Sequence, residues 1–414
     1  MLTPPVISGQ TYPTTPTSQE RSNYLRGGMS FTSAYGNNAL ATTNGQPINE
    51  MSYSIGPGLT LDETTSRMHS LLSYSAGFTF YQKTSDLNAA NQNASIDFRY
   101  RLSPHVTFTA RDAFQKTSSV FNQPDLGSAG IVSGGAQEAN FSVIAPVADL
   151  LTNSGNVGIS YQFSMNGMIG ASGTFSNLHY PNPAQVSGLY DSSSQGGSAF
   201  YSHRISRVHY LGVTYQYQRL LAYPVAGLSE TQTHAILCFY SLYLNSRISV
   251  SFFGGPQYSD TIQPPFAPGQ FVPPPLRSWT PAAGGSLGWQ GRLNTFAMSY
   301  SHIIAGSGGL IGAAHMDNAS ISLGQRITRT LGGSLSGSYV QNDVIGGFAQ
   351  GAYKGHTLSA TASLGREFHQ NLNVQLGYTR LHQDYSDVAV LSQIPNTNRE
   401  FISLSYQFSR PIGR

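Results

Sequence analysis

The sequence predicts one closed, antiparallel, all-β barrel that crosses a lipid bilayer with about eighteen strands, with sixteen as the alternative count. Three observations predict it. Apolar and small polar residues alternate through most of the 414 residues. Only 10% of the residues are charged, against about 25% in ordinary soluble domains. Short connections between the alternating segments are interspersed with long ones.

The alternation is plain in Met51-Ser52-Tyr53-Ser54-Ile55-Gly56-Pro57-Gly58-Leu59-Thr60-Leu61, where every second residue is apolar and the residues between are Ser, Gly or Thr. A period of two marks a strand with one oily and one polar face. The pattern persists to the end of the chain, where Ile402, Leu404, Tyr406 and Phe408 alternate with Ser403, Ser405 and Gln407. Hydrophobic residues make up 39% and mean hydropathy is slightly negative. No run approaches the ~18–20 consecutive apolar residues of a membrane helix. This composition suits a membrane barrel or a secreted all-β protein such as a propeller or β-helix.

Strands are expected near 27–36, 50–61, 69–81, 93–102 and 105–116, and after a long connection near 155–164, 167–179, 198–205 and 208–220. Further strands are expected near 231–243, 246–258, 281–290, 293–305, 316–327, 331–342, 355–366, 371–384 and 398–409. Their lengths approach the ~9–11 residues of a tilted strand that spans a bilayer. Ser103-Pro104-His105, Met165-Asn166-Gly167, Ser206-Arg207, Gly291-Arg292 and Thr328-Arg329-Thr330 are short turns. Long loops are expected near 117–154, 180–197, 259–280, 343–354 and 385–397. Short turns at one end and long loops at the other suit a bacterial outer-membrane barrel; a propeller gives no reason for the alternation.

Parity supports the pairing, because a slip of one residue would turn the oily face inward. Phe98 and Tyr100 precede Ser103-Pro104-His105 on even positions, and Val106 and Phe108 follow it on even positions, as an odd-length turn requires. Across Gly291-Arg292 the parity switches from Leu287 and Trp289 to Phe296 and Met298, as a two-residue turn requires. Tyr100, Phe163, Trp289 and Phe408 lie beside short turns or the C-terminus, and Phe80, Tyr217 and Tyr300 toward long loops, where two interfacial girdles are expected. Asp112 breaks the pattern, standing on the apolar parity between Ala110 and Phe114. Either a β-bulge turns it inward or the strand leaves the membrane there.

Net charge is +3, too small to argue for nucleic acid. Lys83, Lys116 and Lys354 are the only lysines, so arginine dominates the basic residues. Its planar fork suits phosphate, and lipopolysaccharide with it, although base composition of the genome is the favoured explanation of the bias. Cys238 is the single cysteine and forms no internal bridge. Residues 1–25 read as an extended Pro/Thr-rich linker and 26–414 as the barrel. Met1-Leu2-Thr3-Pro4-Pro5 lacks the features of a signal peptide, so a misassigned start or a longer precursor is expected.

The last strand, Phe401-Ile402-Ser403-Leu404-Ser405-Tyr406-Gln407-Phe408, resembles the C-terminal signal read by the outer-membrane assembly machinery. Leu404, Tyr406 and Phe408 carry that resemblance, and Ser409-Arg410-Pro411-Ile412-Gly413-Arg414 extends beyond it. The segments Phe252-Phe253-Gly254-Gly255-Pro256-Gln257-Tyr258, Ser299-Tyr300-Ser301-His302 and Leu376-Gly377-Tyr378-Thr379-Arg380-Leu381-His382-Gln383-Asp384-Tyr385 resemble a functionally uncharacterised family of porin-like barrels from Gram-negative soil bacteria. The resemblance covers roughly residues 200–414 and implies fold and outer-membrane location, without a substrate or a catalytic signature.

The polar parity, with Ser334, Ser336, Ser338, Thr357, Ser359, Thr361 and Ser363, predicts a wet lumen lined by short neutral hydrogen-bonding groups. One charged cluster stands on that parity: Asp97, Arg99 and Arg101, across from Thr107, Thr109 and Arg111. A three-residue turn sets Asp97 opposite Arg111. The cluster reads as a basic lining that steers anions or as an ion pair bracing the wall. His382 and Asp384 share a rim face, but two ligands make no zinc site, and no metal, cofactor or catalytic group is expected. The Pro-rich stretch from Thr261 to Leu276 is expected to narrow the bore, cap the mouth or lie on the surface as a semi-rigid loop. The apolar run Phe141-Ser142-Val143-Ile144-Ala145-Pro146-Val147 reads as an extra strand, a lumenal helix or a rim element.

These features favour a passive channel for small hydrophilic solutes, set in outer-membrane lipid and lipopolysaccharide. The alternatives are a surface-presenting scaffold closed by its loops and, at lower weight, a rim-active lipid hydrolase. Oligomeric state is not legible.

Overall fold

The computed structural model describes residues 23–37, 49–85, 88–117, 149–183, 188–224, 227–245, 247–263, 273–310, 312–345, 354–369, 371–385 and 396–411. Their strands are β1 (Tyr24–Asn37), β2 (Glu50–Thr64), β3 (Met68–Tyr81), β4 (Ala89–Arg101), β5 (Val106–Thr117) and β6 (Leu150–Tyr161). There follow β7 (Gly167–His179), β8 (Ser192–Arg204), β9 (His209–Ala222), β10 (Ser229–Asn245), β11 (Ile248–Ile262) and β12 (Leu276–Gln290). The last are β13 (Asn294–Gly306), β14 (Ala313–Arg326), β15 (Leu331–Val344), β16 (Lys354–His369), β17 (Leu372–Tyr385) and β18 (Asn396–Pro411). The eighteen strands form one antiparallel sheet in sequence order. β18 returns to β1, with Phe31 opposite Leu404 and Tyr24 opposite Pro411, and closes it. Closure removes the terminal edge strands, and the ladders satisfy most of the backbone without water, with interruptions at Gly56 and Pro57 between β2 and β3 and beyond Ala283 between β12 and β13.

The short turns are built by side-chain oxygens that take the place of a backbone partner. Ser103 Oγ accepts from the amides of His105 and Val106 at 3.2 and 3.1 Å. Ser164 does the same for Asn166 and Gly167, Asn245 for Arg247 and Ile248, and Thr328 for Thr330 and Leu331. Such Asx and Ser/Thr turns fix the register of each hairpin. Phe98 therefore faces Ala110 and Tyr100 faces Phe108. On the other parity, Leu287 faces Met298 and Trp289 faces Phe296.

The register sorts the faces. Leu404, Phe31, Ile55 and Phe78 form one row across four strands, and all four are exposed. Similar rows run round the sheet, so the large apolar side chains cover the outside. In a water-soluble fold the same residues would be packed centrally; a continuous exposed apolar band is a lipid face. Aromatics edge it at both ends. Phe163 stacks on Tyr201 near the short turns, while Tyr217, His234, Tyr258 and Trp279 form a chain of ring contacts toward the loops.

Several strands run further than periodicity alone places them. β6 begins at Leu150, and β11 and β12 take Ile262 and Leu276 from the expected loop. Of the Pro-rich stretch, residues 264–272 lie outside the described residues, as do the run 141–147 and the first 22 residues of the expected N-terminal linker. Asp112 is not turned by a bulge: β5 pairs without interruption from Val106 to Thr117 against β6, and Asp112 faces Gly155 and Ile96 on the outward parity.

Candidate functional site in the bore

The inward parity carries paired hydroxyls. Ser334 meets Ser363 at 2.7 Å and Ser338 meets Ser359 at 2.7 Å. Ser299 and Ser320, Ser251 and Ser286, and Ser172 and Ser198 do likewise on other hairpins. Each pair satisfies one hydroxyl donor, and the remaining lone pairs stay available to water. Short side chains in this pattern keep the wall polar.

Charge on the wall is one-sided. Among the described residues, inward positions of β18 and β1 to β5 carry Arg399, Arg26, Glu50, Asp62, Asp97, Arg99, Arg101 and Arg111. Inward positions of β6 to β17 are charged only at Arg204, Arg326 and Glu367, beside the short turns. The predicted cluster assembles as a unit of one hairpin: Asp97 faces Arg111, Arg99 faces Thr109, and Arg101 faces Thr107. Arg111 Nε lies 2.9 Å from Asp97 Oδ2, an ion pair by distance, although the angle does not make it a hydrogen bond. Asp62 and His69 form a second contact at 3.7 Å, and His69 faces Arg99. The arc is basic in balance.

The bore is not uniform along its axis. On β15 the inward Ser334, Ser336 and Ser338 are partly exposed, while Val340, Asn342 and Val344 nearer the loops are buried. On β17, Asn373 and Gln375 are reachable, and Leu381, Gln383 and Tyr385 are buried. On β15 and β17 the short-turn half is therefore open to water and the loop half is packed, whereas on β7 to β10 burial reaches the short-turn end at Met168, Ser202, Phe239 and Ser241.

The packing has a definite origin. The β13–β14 connection folds inward and meets the β7–β8 connection. The Tyr190 amide donates to the Gly309 carbonyl at 2.7 Å. Ser307 Oγ donates to the carbonyls of Leu310 and Gly312 at 2.6 and 2.7 Å, holding the turn compact. Tyr180 and Leu189 from one side join Leu178, Leu310, Ala314, Val344 and Tyr385 in one apolar cluster, with Leu150 against it. Its members come from β6 and β7 and from β14, β15 and β17, so the cluster bridges walls on nearly opposite sides of the bore. Tyr180 is anchored through its amide to Asp191 Oδ1 at 2.9 Å, and His179 holds the other carboxylate oxygen at 2.6 Å. Burial pushes the Tyr180 phenol far above its ordinary range, and the Asp191 carboxylate adds to the shift.

Sequence reasoning did not single out this closure. Its signal was present: Ala305-Gly306-Ser307-Gly308-Gly309-Leu310-Ile311-Gly312 is a glycine-rich, uncharged run with apolar residues on the loop side. Gly308, Gly309 and Gly312 take positive φ of 68, 107 and 84°. His382, expected at the rim, lies there outward-facing and contacts Asn396 through Nδ1 at 3.1 Å. Leu404, Tyr406 and Phe408 project outward on β18, and the Phe408 ring covers Gly27 of β1 at the closing seam.

An even number of antiparallel strands, tight turns at one end and an apolar outer band edged by aromatics define a porin-like β-barrel of a bacterial outer membrane. No family model and no curated protein matches the chain. Among solved structures, OccAB4 of Acinetobacter baumannii is 9% identical with a TM-score of 0.42, over 95% of this chain and 100% of that one. The outer membrane protein OpdK of Pseudomonas aeruginosa is 9% identical with a TM-score of 0.41, over 93% and 99%. The alcaligin outer-membrane receptor FauA of Bordetella pertussis is 11% identical with a TM-score of 0.39, over 92% and 76%.

Proposed function

We propose that this barrel is a porin-like passive channel for small hydrophilic solutes. The observation that carries the proposal is the water-accessible part of the bore at the short-turn end, walled by hydroxyl pairs and carrying most of its charge on one arc. Such a wall replaces hydration without binding a solute tightly, and the basic balance at Asp97, Arg99, Arg101 and Arg111 favours anions. The apolar bridge at the loop end restricts the path and limits the size of what passes. No residue is assigned a covalent step. Leu404, Tyr406 and Phe408 serve as the signal for the barrel-assembly machinery, and lipopolysaccharide surrounds the loop end.

The same apolar bridge favours a second reading, a surface-presenting scaffold whose bore is shut. Purified protein in planar bilayers separates the two. Stepwise conductance supports the channel; a membrane that stays insulating with correctly inserted barrel contradicts it and leaves the scaffold.

A further inference from the structure

The barrel wall is unzipped at one seam. β12 pairs with β11 from Trp289 opposite Ile248 to Leu276 opposite Thr261. Against β13 it pairs only from Gln290 opposite Thr295 to Ala283 opposite His302. Residues 276–282 of β12 and 303–306 of β13 run on without each other. Backbone groups alternate sides along a strand. Gln290 donates its amide toward β11 and Gly291 toward β13, so the odd positions of β12 face the seam. Pro281 is the first odd position past the ladder, and it has no N–H to give. Continued register would set Ile304 against it, but the Ile304 amide donates to Gln257 Oε1 of β11 at 3.1 Å. Among the described residues no strand takes the backbone groups of Trp279 on that side.

Past the ladder, β13 leaves the cylinder and tucks inside it. Ile304 shares the outward parity of Tyr300, yet it is 2% exposed where Tyr300 is 46%. It clusters with Leu220, an inward residue of β9, and with Ala313. Ile303 packs on the cluster of Ala235, Leu237 and Ala282, inward residues of β10 and β12. The wall here is two overlapping layers with no ladder between them, held by apolar contact and by the Gln257 side chain. Beside the overlap, the Thr280 hydroxyl is shielded and makes no hydrogen bond. Pro281 precedes the turn residue Gly291 by ten positions. At ~3.3 Å per residue and a tilt of ~40° that span climbs about 25 Å, the height of the apolar band. The seam therefore opens at the outer edge of the lipid.

The geometry points to a lateral gate, through which a single-chain amphiphile passes between the bore and the outer edge of the lipid band. Its mouth suits a molecule with a polar head and an apolar chain. At the end of the ladder, on the outer face, the Tyr300 hydroxyl donates to Asp317 Oδ1 at 2.7 Å and His302 Nδ1 lies 2.9 Å from the same oxygen. Below them the facing pair Met298 and Ile321 is exposed on the lipid face. The axial way toward the loops is obstructed by the cluster of Tyr180, Leu310 and Tyr385. Moving Ile303 and Ile304 off the inner wall breaks apolar contacts and the Gln257 hydrogen bond, but no ladder bond between β12 and β13. Pro281 keeps the seam from zipping, and a proline on an edge also disfavours capture of a foreign strand. This route stands whether or not ions pass along the axis.

Photolabelling tests it, on the full chain in lipid nanodiscs, with folding checked by heat-modifiable gel mobility. The probe is a long-chain fatty acid bearing a diazirine, and the background is Cys238→Ser. Peptide mass spectrometry is expected to find the probe on inward residues of β12 around Thr280 and Ala282, as well as on outward residues. Ala282→Cys with Ile303→Cys, bridged by a short reducible bis-thiol reagent, is expected to lose the inward label, keep the outward one, and regain the first on reduction. If the bridge does not form, Gln257→Ala decides: it frees the Ile304 amide, so a raised inward label supports the gate and an unchanged one overturns it. Inward label that the bridge leaves unchanged also overturns the inference, because the probe then arrives along the axis. So does a lack of inward label in both wild type and Gln257→Ala while outward residues are labelled. Conductance of the same proteins in planar bilayers reports the axial path separately. A non-conducting barrel with bridge-sensitive inward label contradicts the channel and keeps the gate.

Discussion

The backbone amide of Tyr190 donates to the carbonyl of Gly309 at 2.7 Å and ties the β7–β8 connection to the β13–β14 turn inside the barrel. Gly309 holds φ at +107°, and a Cβ there would meet the Tyr180 hydroxyl. A β-branched residue is costly at positive φ. Gly309→Val is therefore expected to weaken the closure by on the order of 1–3 kcal/mol. In planar bilayers its unitary conductance rises above wild type, and the Tyr190 amide exchanges faster. Unchanged conductance together with unchanged exchange removes the bridge as the restriction.

Tyr180 offers a cleaner change. Its hydroxyl is buried and makes no hydrogen bond, and an unsatisfied buried group costs about 1–3 kcal/mol. Tyr180→Phe keeps the ring and loses the hydroxyl, so the closure becomes neutral to about 1 kcal/mol more stable. Slower exchange of the Tyr190 amide is the readout; clear acceleration means that the hydroxyl has an important partner.

The same phenol predicts a pH dependence. Its proton affinity in the closed state is raised by burial and by Asp191. A group raised on closing stabilises the closed form fully below its ordinary value, about 10 for tyrosine, and that contribution is lost as pH climbs toward the elevated one. Conductance of wild type is expected to increase above about pH 10, while Tyr180→Phe shows a smaller rise. Equal rises in both proteins assign the effect to other groups.

The charged arc sets a prediction for selectivity. Arg99→Ala with Arg111→Ala removes two positive groups from the β4–β5 wall and leaves Asp97 without its 2.9 Å partner. Reversal potential in a salt gradient is expected to move toward cation preference. An unmoved potential confines Asp97 and Arg111 to bracing the wall.

Much of this was legible because a barrel strand records its two faces residue by residue. The parity of Phe98, Tyr100, Val106 and Phe108 placed Asp97 opposite Arg111, and the pair forms. The inward closure was harder to read. It depends on contacts between Tyr180, Leu310, Val344 and Tyr385, which lie far apart in sequence and carry no periodic signature. Asp112 was visible as an exception, but its outward direction needed the uninterrupted register of β5.

Cysteine scanning along β15 tests the central claim most directly. Ser334, Ser336 and Ser338 face the bore, and Leu335 faces outward. Cys238 supplies an outward reference, opposite Val213 and Gly254. With barrels in lipid, a charged, membrane-impermeant thiol reagent is expected to modify Ser334→Cys and Ser336→Cys while sparing Leu335→Cys and Cys238. Labelling of Leu335→Cys with protection of Ser336→Cys would contradict the account.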